Sequence, residues 1–387
     1  MNGNRAGRYV NQPEGYRAFI PKPLPPEPEL DWNKEMIRLF GQAKQKLGEL
    51  NGATRKLPDP DLFVLMYMRH EAVRSSQIEE THSTIQQMLL FETGDPEVNR
   101  ERDTEEVVNY VEALRYGLQR VNEIPLSLRL IKEIHEKLLK GVRGQHKNPG
   151  RFADRQRQVG STGFHPGNAE YIPPPPDEMR NALSDFEEYL RKGDDKSEPL
   201  IKCGLIHAQF ETIHPFMDGN GRMGRMLIVL LLCLEGLLDE PVLYISHYIN
   251  QHKPTYYERL QNIRDHGDWE GWITFFLKTI KTTAEKAAGT TDAIFSLQER
   301  DREKIGEHIQ SKYRYELHDY LFRQPIVTMP EVAETLDCSY QTARDLVMKL
   351  EDLNILHEYT GQQRYRKYVY LDYYDKFEEL SFEGNEG

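Results

Sequence analysis

Nine consecutive apolar residues, Met226-Leu-Ile-Val-Leu-Leu-Leu-Cys-Leu234, constrain this chain more than any other stretch. The run is too short to span a bilayer and Glu235 ends it, so it reads as a helix buried inside a protein core. Directly before it stands His214-Pro-Phe-Met-Asp218-Gly-Asn-Gly-Arg222-Met-Gly-Arg225. Its fixed positions, written HPFxxGNGRxxR, arise by chance on the order of once in 10⁸ chains of this length.

A buried helix that begins at Gly219-Asn220-Gly221 has unpaired N–H groups and the positive end of its dipole at that point, which makes an anion site. Glycine there permits left-handed backbone angles and lets a phosphate approach without a Cβ in the way. Arg222 and Arg225 lie three residues apart, on one helix face near the site, and each can fork two phosphate oxygens. Asp218 supplies a hard oxygen suited to a Mg²⁺ ion shared with phosphates. His214 is the one side chain of the group whose ordinary pKa lies near neutrality. A base, a metal carboxylate, an anion nest and two arginines together describe phosphoryl or nucleotidyl transfer.

With its lead-in Ile206-His-Ala-Gln-Phe-Glu-Thr-Ile-His214, the pattern resembles the Fic family, whose characterised enzymes mostly move AMP from ATP onto a protein hydroxyl. The likeness covers roughly residues 10–285 and includes Gly150-Arg-Phe, Tyr171-Ile-Pro-Pro-Pro-Pro176, Leu243-Tyr-Ile-Ser246 and Gly267-Asp-Trp-Glu-Gly-Trp272. The resemblance implies that His214 takes the acceptor's proton, that Phe216 anchors the loop in the core, and that Asp218 holds Mg²⁺. It also implies that the Gly219 to Gly221 amides and the Asn220 side chain cradle the phosphates of ATP. Arg222 would then face the β-phosphate and Arg225 the γ-phosphate, with attack in line at the α-phosphorus and pyrophosphate leaving. Val159-Gly160 and the residues to Phe164, with Tyr171-Ile172, read as a hairpin. In the family such a flap holds an extended target segment by strand addition. Tyr256 and Tyr257 are the rings the resemblance places against adenine.

A second stretch, Arg69-His-Glu-Ala-Val-Arg-Ser75-Ser-Gln-Ile-Glu79-Glu-Thr81, resembles the family's autoinhibitory helix, (S/T)xxxE(G/N). In that register Ser75 comes first and Glu79 pairs with Arg225, which removes the cation that the γ-phosphate needs. The register from Ser76 to Glu80 fits less well, because Ile78 stands where the family has an apolar residue before its glutamate. Glu80 departs from the pattern. Gly or Asn suits a helix end with positive φ and Glu does not, so the helix either runs on or ends under strain.

The 387 residues allow two or three domains, and a net charge of −12 argues against wholesale nucleic-acid or membrane binding. Cys203, Cys233 and Cys338 show no CxxC or Cys/His spacing, so neither disulfides nor zinc are expected, and the N-terminus shows no secretory signal. The expected site is the cytoplasm. The fold class is mainly α: a Fic helical core with a short β-hairpin flap, plus a C-terminal winged helix-turn-helix. The chain divides into 1–124, a Pro-rich extended segment to residue 31 followed by helices with the inhibitory stretch, and 125–285, the catalytic core. A helical linker at 286–311, a winged-helix domain at 312–375 and an acidic tail at 376–387 follow.

Within 312–375, Thr328-Met-Pro-Glu begins one helix behind a Thr cap and Gln341 to Leu353 forms a second. Tyr365-Arg-Lys-Tyr-Val-Tyr370 belongs to a two-stranded wing. A second helix of this kind reads the major groove of DNA in winged folds. Here Asp345, Glu351 and Asp352 offset Arg344 and Lys349, and only Arg364, Arg366 and Lys367 cluster, so protein docking or dimerisation ranks above DNA binding. Three functions stay open at this level. The first is a Mg²⁺·ATP-dependent protein adenylyltransferase held in check by Glu79. The second is a DNA-binding regulator with a nucleotide-sensing core, and the third removes AMP with Glu79 positioning water. The partners are ATP and a target protein with a Ser, Thr or Tyr hydroxyl; family members also form homodimers that influence the inhibitory helix, and no membrane partner is expected.

Overall fold

A computed structural model describes residues 4–57, 59–92, 102–160, 171–192, 198–362 and 366–378. A hairpin of β1 (Gly7–Asn11) and β2 (Arg17–Pro21) opens the chain. Helices α1 (Lys34–Thr54), α2 (Asp61–Ile78), α3 (Ile85–Glu92), α4 (Arg102–Arg120) and α5 (Leu128–Leu138) follow. Then come α6 (Pro176–Lys192), α7 (Pro199–Ile213), α8 (Asn220–Leu234), α9 (Ile245–Gln251), α10 (Lys253–His266) and α11 (Trp269–His308). The C-terminal part comprises α12 (Arg314–Arg323), β3 (Ile326–Thr328), α13 (Met329–Thr335), α14 (Tyr340–Asp352), β4 (His357–Glu358), β5 (Lys367–Val369) and α15 (Leu371–Glu378). The described residues are mainly helical.

The apolar run behaves as its composition demands. Every residue of α8 from Arg222 to Leu232 is buried, and α7, which leads into it, is buried along almost its whole length. Two helices without a solvated face have to be surrounded. Helices α2, α4 and α11 pack around this pair. Trp272 of α11 donates its indole N–H to the Gly204 carbonyl of α7 at 2.8 Å, which satisfies a buried donor while bringing the two helices close.

The N-terminal segment is more structured than its prolines suggest. Gly7 pairs with Pro21 and Asn11 with Arg17, and the buried Phe19 donates its backbone N–H to Ile172 O at 3.0 Å. The expected linker at 286–311 is, up to His308, the second half of α11, which runs unbroken from Trp269. Ala287, Thr290, Thr291, Ile294, Leu297 and Ile305 form a buried stripe at helical spacing along that half. In the C-terminal part, β3, β5 and β4 make a three-stranded antiparallel sheet beside α13 and α14. A capping box of Thr328 and Glu331 starts α13. Of the basic wing cluster, Arg364 lies outside the described residues, as does the tail beyond residue 378.

Helix α2 joins the C-terminal part to the central helices. Its residue Phe63 packs on Phe322 of α12 with ring centroids 5.0 Å apart, and His70 stacks on Phe377 of α15 at 4.6 Å. Arg69 pairs with Glu92 and donates to Arg323 O at 2.6 Å. Farther along, Glu71 accepts from Ser246 N at 2.9 Å and from Tyr110 Oη at 3.3 Å, so α9 and α4 hold the same helix from the other side. Phe377, 4% exposed, also meets the ring edge of Tyr67. Phe377→Ala should therefore lower unfolding stability by about 3 kcal/mol, the usual size for deleting a buried ring. Urea unfolding with an unchanged slope checks this; a loss below about 1 kcal/mol would mean that α15 contributes little to holding α2.

Candidate active site

The loop between α7 and α8 is shaped by its own sequence. His214 caps α7 in a left-handed conformation (φ 49°), its N–H reaching Phe210 O at 2.8 Å, and Pro215 prevents the helix from continuing. Phe216 is fully buried, as expected for an anchor, with its ring stacked on His135 at 3.6 Å between centroids. His135 does two further things. Its Nδ1 accepts from Gly150 N at 3.0 Å and its Nε2 donates to Asp218 O at 2.9 Å, a pattern that requires the neutral ring. Burial holds the pKa of His135 down at about 4, in keeping with that role. Nothing in its spacing had marked His135 as part of the site.

Asn220 secures the loop from the other side. Its Oδ1 accepts from Phe216 N at 2.8 Å and its Nδ2 donates to Phe216 O at 2.9 Å. That amide, expected to cradle phosphate, is thus engaged with the loop backbone in this conformation, and main-chain N–H groups carry the anion-binding potential. Gly219 is left-handed (φ 73°), and no side chain caps the start of α8. Asp218 accepts from Gly219 N at 2.7 Å, and its side chain remains 31% exposed.

Both arginines are buried, each 1% exposed, and each meets a carboxylate from the N-terminal helices. Arg225 donates from Nη2 to Glu79 Oε1 at 2.8 Å, from Nη2 to Ser75 O at 3.0 Å and from Nε to Ser75 Oγ at 2.9 Å. Arg222 donates to Glu106 Oε2 at 2.8 Å, with Asp218 Oδ1 at 3.6 Å. The Glu79 carboxylate lies so close to the backbone at the start of α8 that a Cβ at Gly221 would collide with it. Gly221 is therefore needed for an acid, and by the same geometry any anion, to reach the helix start. Burial pushes the Glu79 carboxyl up, but the charge and hydrogen bond of Arg225 outweigh it and hold it below its ordinary value. Glu79 is ionised at neutral pH.

Burial, with the nearby Arg157 charge, lowers His214 to about 3, so the ring is neutral at pH 7. Its Nδ1 is 4.0 Å from Glu211 Oε2, a carboxyl that burial raises to about 7. Glu211 and Glu106, like His135, escaped the sequence reading. Their partners lie on other helices or carry no spacing signal.

Residues 37–119 match the model of the Fic/DOC family N-terminal, and residues 125–232 match that of the Fic/DOC family. The chain carries Fic/DOC family domains. It is 29% identical over 209 residues to a protein named "Protein adenylyltransferase Fic" from Nematostella vectensis, covering 52% of this chain and 44% of that one. To a "Probable protein adenylyltransferase" from Aquifex aeolicus it is 31% identical over 178 residues, 46% of this chain and 51% of the relative. The chain thus spans about half the length of these curated relatives. A solved structure of a Fic family protein from Desulfovibrio desulfuricans G20 superposes with a TM-score of 0.57 at 19% identity, over 89% of this chain and 98% of that one, a likeness of fold. Within this chain the Fic N-terminal region supplies Glu79 and Glu106, and the Fic region supplies His214, Arg222 and Arg225.

The remaining expected site residues divide. Val159 bridges Tyr171 in antiparallel fashion (N to O 2.9 and 3.3 Å), with Gly160 beside it, while residues 161–170 of the expected flap lie outside the described residues. Tyr256 is buried, 1% exposed, and its hydroxyl meets His207 Nε2 at 2.9 Å. Tyr257, 40% exposed, reaches the surface.

The helix bearing Glu79 ends rather than running on. Thr81 N reaches Ser76 O at 3.2 Å and Glu80 N reaches Gln77 O at 3.1 Å, a Schellman pattern with Glu80 at φ 66°. Lys253 Nζ donates to the terminal Ile78 carbonyl at 2.7 Å. Because a residue with a Cβ is strained at that angle, Glu80→Gly should stabilise the fold by about 0.5–1 kcal/mol. A shift of the urea midpoint upward would register it, and a downward shift of that size would contradict the strain.

Proposed function

We propose that this chain is an autoinhibited protein adenylyltransferase that transfers AMP from Mg²⁺·ATP to a hydroxyl of a target protein or of itself. The observation that carries the reading is the Glu79 carboxylate seated on Arg225 at the uncapped start of α8. A buried guanidinium beside unpaired helix N–H groups is a phosphate site, and one anion at a time can use it. The curated relatives' names, which describe protein adenylyltransferases, support the same chemistry.

With Glu79 withdrawn, Arg225 would receive the γ-phosphate and Arg222 the β-phosphate, and the α8 amides would line the chain of phosphates. Asp218 suits a divalent cation brought in with them: it is one partly exposed carboxylate, and Mg²⁺ commonly takes one or two carboxylates together with substrate phosphates. Bound there, the ion would neutralise phosphate charge. The neutral ring of His214 then takes the proton from the acceptor hydroxyl, the new oxygen–phosphorus bond forms at the α-phosphorus, and pyrophosphate departs. Positioning and fixed charge do most of the work. Val159 and Gly160 would pair with the target's backbone, and Tyr257 would pack on adenine, with Tyr256 behind it.

The C-terminal part is read as a winged helix-turn-helix, on the support of the order α12, β3, α13, α14, β4, β5 and the three-stranded sheet. Asp345, Glu351 and Asp352 beside Arg344 and Lys349 favour docking or dimerisation over DNA binding. A cytoplasmic enzyme fits this reading; among the described residues no helix is long and apolar enough to cross a membrane.

Glu79→Gly should raise transfer of label from α-labelled ATP onto protein by about tenfold or more, since it restores a full charge-assisted contact to the phosphate. Adding His214→Ala should cut that rate by about 10²–10⁴-fold. Intact mass and autoradiography measure both. Equal labelling by the wild-type chain, Glu79→Gly and the double variant would defeat the proposal.

A further inference from the structure

Three arginines, not two, surround the start of α8. Arg143 stands in the turn after α5, and the sequence reading passed over it. That turn is anchored. Val142 is buried, Lys140 O accepts from Asn109 Nδ2 at 2.6 Å, and Gly144 packs so tightly on Asp218 that a Cβ would lie 2.9 Å from Oδ2. The backbone of residue 143 is therefore fixed relative to the catalytic loop, while its side chain is 58% exposed and free to change rotamer.

The guanidinium lies between the Glu106 carboxylate and the main chain of Glu79. Its Nε is 3.6 Å from Glu106 Oε1, and Nη2 donates to the Glu79 carbonyl at 3.4 Å. Glu106 uses its other oxygen on Arg222, so one buried carboxylate holds a guanidinium on each side. Oε1 of Glu106 and Nε of Arg222 are both buried without a hydrogen-bond partner among the described residues, so the cluster retains polar capacity in this conformation. If the Glu79 side chain leaves, Arg225 loses its carboxylate partner while Arg143 and Arg222 remain beside Glu106, so the cluster becomes more positive by one charge where an anion belongs. The carbonyl that Arg143 meets belongs to the main chain of residue 79, so the guanidinium stays beside the emptied position when the Glu79 side chain leaves, and its five N–H donors leave capacity for an anion.

We propose that Arg143 is a third phosphate-binding residue, which takes the β- or γ-phosphate of a nucleoside triphosphate once Glu79 withdraws. The inference rests on the nucleotide-transfer reading above and adds a ligand to it. It also gives Arg143 two states: bound to the inhibitory turn when the site is closed, and bound to phosphate when it is open.

Isothermal titration of ATP, ADP and AMP with Mg²⁺ into Glu79→Gly, with and without Arg143→Ala or Arg143→Lys, tests this. Arg143→Ala should weaken ATP by about tenfold, the size of one charge-assisted hydrogen bond, and leave AMP within about twofold. Arg143→Lys should recover part of the ATP loss. Arg143 lies on the surface, so melting temperatures should stay unchanged and report that each variant folds. ATP affinity unaltered by Arg143→Ala, or equal losses for ATP and AMP, would overturn the assignment while leaving the transfer reading intact. A Glu79→Gly chain that binds none of the three nucleotides would instead defeat the nucleotide reading, and this proposal with it.

Discussion

A guanidinium taken out of water needs an anion, and most of this molecule's design follows from where Arg225 has been put. It sits at the start of a helix with no solvated face, 1% exposed, with Ser75 Oγ, Ser75 O and the Glu79 carboxylate as partners. Stripped of the acid it would be a buried charge satisfied only by neutral oxygens, a state that costs several kcal/mol in a low-dielectric interior. The site therefore holds an anion of its own or takes one from solution. On the proposed function, those two alternatives are the inhibited and the active enzyme, and a single carboxylate decides between them.

On that proposal the acid acts as a gate, and its helix is held by more than the gate itself. Helix α2 carries Glu79 and Ser75 toward Arg225, Glu71 toward Ser246 and Tyr110, and Phe63, Tyr67 and His70 toward α12 and α15. Forces on the C-terminal part thus act on the same rigid element as the Arg225 pair. Against that hold, the end of the helix is strained: Glu80 adopts a backbone angle that glycine would take freely. If Glu79 withdraws as proposed, strain at the adjoining turn lowers the difference in free energy between the closed and open states.

What could be read from the residues was whatever is local. The apolar run announces α8, the glycines announce an uncapped start, and the spacing of Arg222 and Arg225 puts both near it. Glu79 was legible through the resemblance to the (S/T)xxxE(G/N) pattern, and its place four positions after Ser75, one turn of helix, lets both reach one arginine. Glu80 was rightly suspected of conflict with the helix end, and the structure resolves the conflict in favour of the turn. Illegible features were the long-range ones. Glu106 meets Arg222 across 116 positions, and His135 meets Asp218 across 83, distances that leave no period in a sequence. The hairpin of β1 and β2 hid behind a proline-rich flank, and α11 hid its continuity because its second half buries only a narrow stripe of Ala, Thr and Ile among charges. The burial of Tyr256 was equally illegible, since its neighbours His207 and Trp272 come from other helices.

The claim that Arg225 always requires an anion is tested most directly by melting the wild-type and Glu79→Gly chains with and without Mg²⁺·ATP. The wild-type chain, with its own acid in place, should melt at nearly the same temperature in both conditions. Glu79→Gly should be less stable by about 1–3 kcal/mol without nucleotide, because Glu79 is partly exposed, and should regain that stability as ATP is added. Identical melting of the two chains, with no response of Glu79→Gly to ATP, would contradict the account.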